Sequence, residues 1–167
     1  GLVSADGGLA DNAIPRQTKA VVVVEEKDAE SLEQQVAALA AELGDELATK
    51  DPDVKVTAKR LADTAETITC AAPEETKRVA AFLQATPNGV QAMSADMPGL
   101  VQTSLNLGIL KADVEVLRAE YSVRSSVESE KDNLIAKLSA LVELTGGDYV
   151  VTGDYPGWKY RVDSPLR

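Results

Sequence analysis

The run Leu100-Val101-Gln102-Thr103-Ser104-Leu105-Asn106-Leu107-Gly108-Ile109-Leu110, continued past Lys111-Ala112 by Asp113–Arg124, decides the fold. Two long runs rich in apolar and β-branched residues meet at a short joint around Lys111-Ala112, which reads as a hairpin. Val90–Met93 reads as a further strand just upstream. Helical signals flank the three strands on both sides. Upstream, Pro73 with Glu74 and Glu75 opens a helix: proline suits the first turn, and acids suit the positive end of the dipole. Val79, Phe82 and Leu83 form its apolar face, and Thr86-Pro87-Asn88-Gly89 stops it. Downstream, Ser125–Ser129 lead into another helix, with Leu134, Leu138, Leu141 and Val142 at helical steps and Gly146-Gly147 at its end.

Further from the hairpin, Thr18–Val24 carries four consecutive valines and predicts a short strand buried on both faces. Asp28 opens a helix whose Leu32, Val36, Leu39, Leu43 and Leu47 make one apolar stripe. Glu30, Glu33 and Glu42 fall off that stripe. Gly44 bends or ends the helix, and Asp51-Pro52-Asp53 stops it. Val54–Ala58 and Thr64–Cys70 alternate with period two and predict two strands joined through Arg60–Asp63. Tyr149-Val150-Val151 predicts a last short strand, and Tyr155-Pro156-Gly157-Trp158 a turn with the only tryptophan. The opening Gly1–Pro15 is read as Gly-rich, with a turn at Asp6-Gly7-Gly8 and an extended Ile14 before Pro15. Hairpins mixed with helices indicate an α+β fold. The order suggests a ferredoxin-like two-layer sandwich: a largely antiparallel sheet, about three helices on one face, and additional strands. The length of 167 residues suits one domain or two small ones, and burying about 70% of the unfolded chain's surface permits a core without staples.

Composition narrows the chemistry. Lys and Arg number 17 against 27 Asp and Glu, a formal net charge of -10. Nucleic-acid binding, which needs a cationic surface, is disfavoured. No apolar run approaches the roughly 20 residues that span a bilayer, so no membrane partner is expected. Histidine is absent, which excludes a His-ligated metal site and a His-based catalytic triad or dyad built from this chain alone. The single Cys70 excludes an internal disulfide and fits a reducing compartment. Gly1–Ser4 has no signal-peptide character, and the missing initiator Met fits a piece of a longer chain.

Few residues carry chemistry. Glu25-Glu26 and Glu74-Glu75 could serve as acid/base or metal carboxylates, but solvated element ends explain them more simply. Cys70 has no histidine to activate it and reads as packing. Gly7-Gly8 neither follows a clear strand nor opens a helix, so a phosphate loop is rejected. Two polar segments stand out. Asn12-Ala13-Ile14-Pro15-Arg16 sets an amide and a guanidinium in a stiffened extended segment. Ser122-Val123-Arg124-Ser125-Ser126 sets an Arg among hydroxyls at a strand end, where its fork can grip a carboxylate or simply lie on the surface.

Five segments taken in order carry a resemblance. They are Gly7–Arg16, Thr86-Pro87-Asn88-Gly89-Val90, Thr103-Ser104-Leu105-Asn106-Leu107-Gly108, Val123-Arg124-Ser125 and Tyr155-Pro156-Gly157-Trp158. Together they resemble the aminoacyl-histidine (cytosol non-specific) dipeptidases, dizinc exopeptidases related to carboxypeptidase G. The resemblance covers essentially the whole chain. It implies that 1–167 is a single domain, the lid, or dimerisation, domain inserted into a split catalytic domain. On that reading the segment has no catalytic residue or metal of its own and is inactive alone. Two zinc ions, or other divalent ions, belong to the parent enzyme's catalytic domain. The resemblance further implies that Asn12 and Arg124 contact a dipeptide substrate, Arg124 through its carboxylate. The implied partners are the enzyme's own catalytic domain and a second copy in a homodimer, and the implied location is the cytoplasm. One departure is local: Asp11 stands where the family commonly has a basic residue. The family lid begins with a Gly-Gly-His-Ser-Gly segment, which would lie upstream of Gly1. Two readings compete with this one: a non-catalytic ferredoxin-like oligomerisation module, and an amino-acid-binding regulatory domain of ACT type.

Overall fold

The computed structural model describes residues 1–62 and 67–157. Its elements are β1 (Leu2–Gly7), β2 (Thr18–Val22), α1 (Glu26–Leu47), α2 (Pro73–Ala85), β3 (Gly89–Met93), β4 (Val101–Ala112), β5 (Leu117–Ser125) and α3 (Glu128–Thr145). They fall into two units, one of Gly1–Val21 with Cys70–Arg167 and one of Val22–Thr69.

The first unit is built around β4. The predicted hairpin forms, with its turn at 113–116 rather than at Lys111-Ala112. Asp113 makes that turn: its carboxylate accepts the backbone N–H groups of Glu115 at 2.8 Å and Val116 at 2.9 Å, and its own N–H donates to the Val116 carbonyl. β5 then pairs antiparallel along β4, from Ala112 opposite Leu117 to Thr103 opposite Ser125. The other edge of β4 is shared. β3 takes its first half, with Gly89 opposite Leu105, and β1 takes its end, with Gly7 opposite Leu110 and Ala5 opposite Ala112. β2 extends the sheet beyond β1.

A bulge at Gly108 sets which residues β4 buries. The register against β5 slips between Leu107 and Ile109, so two residues of β4 are passed for one of β5. Before the slip, Thr103 and Leu105 are buried; after it, Leu110 and Ala112 are. On β5 the opposite residues, Ser125, Val123, Ala119 and Leu117, stay in one alternation throughout. An unbulged strand would turn Leu110 and Ala112 to the wrong face.

Helices cover that face. Val79 and Leu83 of α2 pack with Ala71, Leu117 and Ala119 against the buried Leu2, Ala5, Leu110 and Ala112. α3 packs on β5 and beside α2, with Leu134 buried. Its start is tied by Ser125, whose Oγ accepts the Val127 N–H and donates to the Val127 carbonyl. Its end is the left-handed Gly146, with Gly147 N–H bonded to the Val142 carbonyl. This is the α+β two-layer arrangement expected from the sequence.

Four strand readings need correction. The Gly-rich opening contains β1; Leu2 and Ala5 are buried against β4 and α2, so long-range pairing makes the strand where local residues read as turn. The valine run is an exposed strand next to β1, not a doubly buried one, and Val22 is 45% exposed. Val54–Ala58 has no strand structure, and neither has Tyr149–Val151, whose Val150 is 82% exposed. Alternation alone makes no strand without a neighbour to bond. Of Thr64–Cys70, residues 64–66 lie outside the described residues, as do Asp63 and Trp158; 67–70 carry no strand.

The second unit contains α1, which starts two residues before the predicted Asp28 and runs straight through Gly44. It buries no residue fully; its stripe is half-buried except for Leu39, which is exposed. Arg60 joins the segment after α1 to that helix, donating to Glu33 at 2.7 Å and Glu26 at 2.9 Å. These carboxylates hold the guanidinium's pKa above its ordinary value, Glu33 more than Glu26.

Candidate functional site

Sharing one edge of β4 between two strands leaves a gap. β3 pairs as far as Leu105, and β1 begins at Leu110. Between them, backbone groups of β4 lack a ladder partner on that side, and an unpaired buried group is costly. The Asn88 side chain satisfies one of these groups, and the Asn106 side chain beside it holds a loop. Asn88 Oδ1 accepts the Leu107 N–H at 2.9 Å. Asn106 Nδ2 donates to the Ala13 carbonyl at 2.8 Å and to the Asp11 carbonyl at 3.2 Å. The loop so held turns at Ala10–Ala13, where the Ala13 N–H bonds the Ala10 carbonyl.

Glycine lets the loop come this close. Gly8 has φ +78°, and a Cβ there would collide with the Gly108 carbonyl oxygen. A Cβ on Gly108 would collide with the carbonyls of Asp11 and Ala10. Gly7-Gly8 does close a strand, contrary to the sequence reading, but no helix follows it, and its role is this backbone approach.

Asn12 therefore sits between two anchored carbonyls at the tip of the turn. Its residue is exposed, and among the described residues no hydrogen bond holds its side-chain amide. Arg124 is opposite Ser104 in the β4–β5 ladder, and Asn106 is opposite Ser122, one same-face step along. Thr103, Leu105 and Ser125 look toward the helices, where Thr103 Oγ1 reaches Glu130 at 3.2 Å. By strand alternation Ser104, Asn106, Ser122 and Arg124 occupy the opposite face. Same-face neighbours along a strand are about 7 Å apart. The loop carrying Asn12 and the exposed Arg124 guanidinium thus share one sheet face, and among the described residues Arg124 has no ion pair.

The remaining motif closes on the same region from behind Arg124. The Ser126 N–H bonds the Gln102 carbonyl at 3.1 Å. A Cβ on Gly157 would stand 2.9 Å from the Ser125 carbonyl oxygen, so the Tyr155-Pro156-Gly157 segment passes close by. Lys131 holds that segment: its ammonium donates to Asp154 at 2.6 Å and pairs with Glu128 at 2.7 Å. The side chain is only 9% exposed, and these two carboxylates raise its pKa above the ordinary lysine value, Asp154 first.

Asn88, Asn106 and Gly108 were not singled out individually in the sequence. The signal was present: asparagine is depleted in strands, and a glycine inside one marks a bulge or a close backbone approach. For metals, among the described residues no group of three or more His, Cys, Asp or Glu is gathered, and the chain has no histidine. The donors among the described residues do not fit a dizinc centre. Among the described residues no helix is long and apolar enough to cross a membrane.

No family model matches the chain. The cytosol non-specific dipeptidase of Escherichia coli (strain K12) is 30% identical over 165 residues, which cover 99% of this chain and 33% of that protein. The solved structure of aminoacylhistidine dipeptidase from Vibrio alginolyticus superposes with a TM-score of 0.88 at 30% identity, again over 99% of this chain and 33% of the other. The chain spans about one third of the length of both.

Proposed function

For a chain homologous to one third of a cytosol non-specific dipeptidase, we propose the role of a lid in a dipeptide-hydrolysing enzyme of the cytosol. In this reading the lid closes over a catalytic domain carried elsewhere in a longer polypeptide. The catalytic domain's divalent ions, two zincs by the resemblance, are held outside this segment, which has no histidine to ligate them. The whole of 1–167 acts as this one functional part, takes dipeptides such as Xaa-His, and contributes to contacts between two copies.

The observation that carries the reading is the shared face of Asn12 and Arg124, both exposed and both without a partner among the described residues. A guanidinium there can hold a substrate carboxylate by two parallel hydrogen bonds. Such a grip selects for length: a dipeptide's carboxylate reaches it with the scissile bond in register, and a longer chain's does not. The bond is worth roughly 1.5–3 kcal/mol, or about 10- to 150-fold in affinity. The Asn12 amide, carried on a backbone anchored to the sheet, serves the peptide unit. Its two donors and one acceptor suit either a carbonyl oxygen or an N–H.

The test has two arms. The full-length protein, supplied with zinc or manganese, is assayed with an Xaa-His dipeptide, and turnover is expected. The isolated 167-residue chain under the same conditions is expected to give no more than a metal-only blank. An inactive full-length protein, or an active isolated chain, contradicts the proposal.

A further inference from the structure

We infer that Asn106 is a positioning residue for Asn12, acting through the two carbonyls that flank it. The inference rests on the dipeptidase reading for its consequence in turnover, and on the geometry alone for the clamp itself. Asn106 lies 93 and 95 residues along the chain from its two acceptors, so no local turn geometry explains the bonds. It occupies a strand position on the face that also bears Arg124. Its one NH2 group spans both neighbours of Asn12, donating to Ala13 at 2.8 Å and Asp11 at 3.2 Å. Fixing both flanking carbonyls fixes the tip residue's backbone while leaving its side chain free.

The surroundings fit the loop in this seat. Gly108, two residues on from Asn106, must lack a Cβ for Ala10 and Asp11 to pack against it, which leaves the Asp11 and Ala13 carbonyls within reach of Asn106. Asn88 satisfies the intervening Leu107 N–H and so keeps β4 from drawing another strand into the gap. Asn106 thus sets where the Asn12 backbone sits relative to the strand pair that carries Arg124, the two residues that the proposed substrate would bridge. Misplacement of about 1 Å in such a constellation can lower a rate by about 100-fold.

The variant that isolates this role is Asn106→Asp in the full-length protein. It keeps the side-chain size but replaces the donor by a carboxylate that repels both carbonyls. Hydrogen–deuterium exchange is expected to rise in the peptide covering 9–14, while the α2 and α3 peptides stay unchanged. With an Xaa-His dipeptide, kcat is expected to fall at least about tenfold with metal content unaltered. In an Asn12→Ala background the same change is expected to lower kcat no further, because the residue it positions is gone. Unchanged exchange over 9–14 overturns the clamp whether or not the protein hydrolyses dipeptides. An additive loss in the double variant overturns the positioning role. A wild-type protein without dipeptidase turnover counts against the functional reading, and the exchange result then decides the clamp by itself.

Discussion

Gly8 and Gly108 lie backbone against backbone, and a Cβ on Gly8 would run into the carbonyl oxygen of Gly108. One follows the short strand β1 directly and the other forms the bulge in β4, so a single contact joins the first turn of the chain to the middle of the longest described strand. The same approach brings the loop that bears Asn12 within reach of Asn106.

Gly108→Ala is expected to destabilise the protein by about 1–3 kcal/mol, the usual cost of forcing atoms into a filled space. Gly8→Ala adds the left-handed backbone penalty of about 1–2 kcal/mol to its own collision. Gly44→Ala is the contrasting control. It lies within α1 with open space around it and is expected to stabilise by about 0.5–1 kcal/mol. Urea unfolding of the three variants checks the signs, and equal effects at Gly44 and Gly108 would contradict the packing account.

Asp113 gives the β4–β5 turn a pH dependence. Backbone N–H groups of Glu115, then Val116, hold its carboxyl pKa below the ordinary 3.8. The folded state binds this proton less readily than the unfolded chain does. The carboxylate's contribution is therefore complete above the ordinary value and is lost as pH falls through the lowered one. Asp113→Ala is expected to lower stability at neutral pH and to flatten this part of the acid limb. Thermal melts between pH 2 and 7 measure it; an unchanged acid limb would remove Asp113 from the account.

Lys131 links α3 to the segment after it. Lys131→Met removes the partner of Asp154 and Glu128 and is expected to raise hydrogen exchange in the peptide covering 153–157. Because the folded-state pKa is raised, the contribution is complete below the ordinary lysine value of 10.5 and fades only as pH rises beyond it. The difference between variant and wild type is therefore expected to be constant from pH 6 to 9. Unaltered exchange, or a difference that vanishes within that range, would contradict this anchor.

Much of this arrangement is legible from the residues alone, and its limits have physical causes. The hairpin, α2 and α3 announce themselves through period and capping, because those signals are local. β1 is not legible, since Leu2–Gly7 becomes a strand only when β4 offers an edge and α2 a cover for Leu2 and Ala5. Val54–Ala58 errs the other way: its alternation is real, but no neighbouring strand bonds it, and Arg60 ties the segment that follows to α1 instead. Asn12 and Arg124 could be named from motif order and the resemblance it carries. Their common sheet face could not, because it depends on the register of β4 against β5 and on a bulge at one glycine. Asn106 was hidden for the same reason: its partners are distant in the chain, and only the gap between β3 and β1 makes its amide matter.

The most direct test of the central claim compares two substrates in the full-length protein: an Xaa-His dipeptide with a free carboxylate, and the same dipeptide amidated at its C-terminus. If Arg124 reads the carboxylate, Arg124→Ala lowers kcat/KM for the free acid by about 10- to 150-fold, with metal content intact. The amide, already poor in the wild type, then loses little more. Equal losses on both substrates, or no loss on the free acid, would contradict the claim that this sheet face measures the substrate.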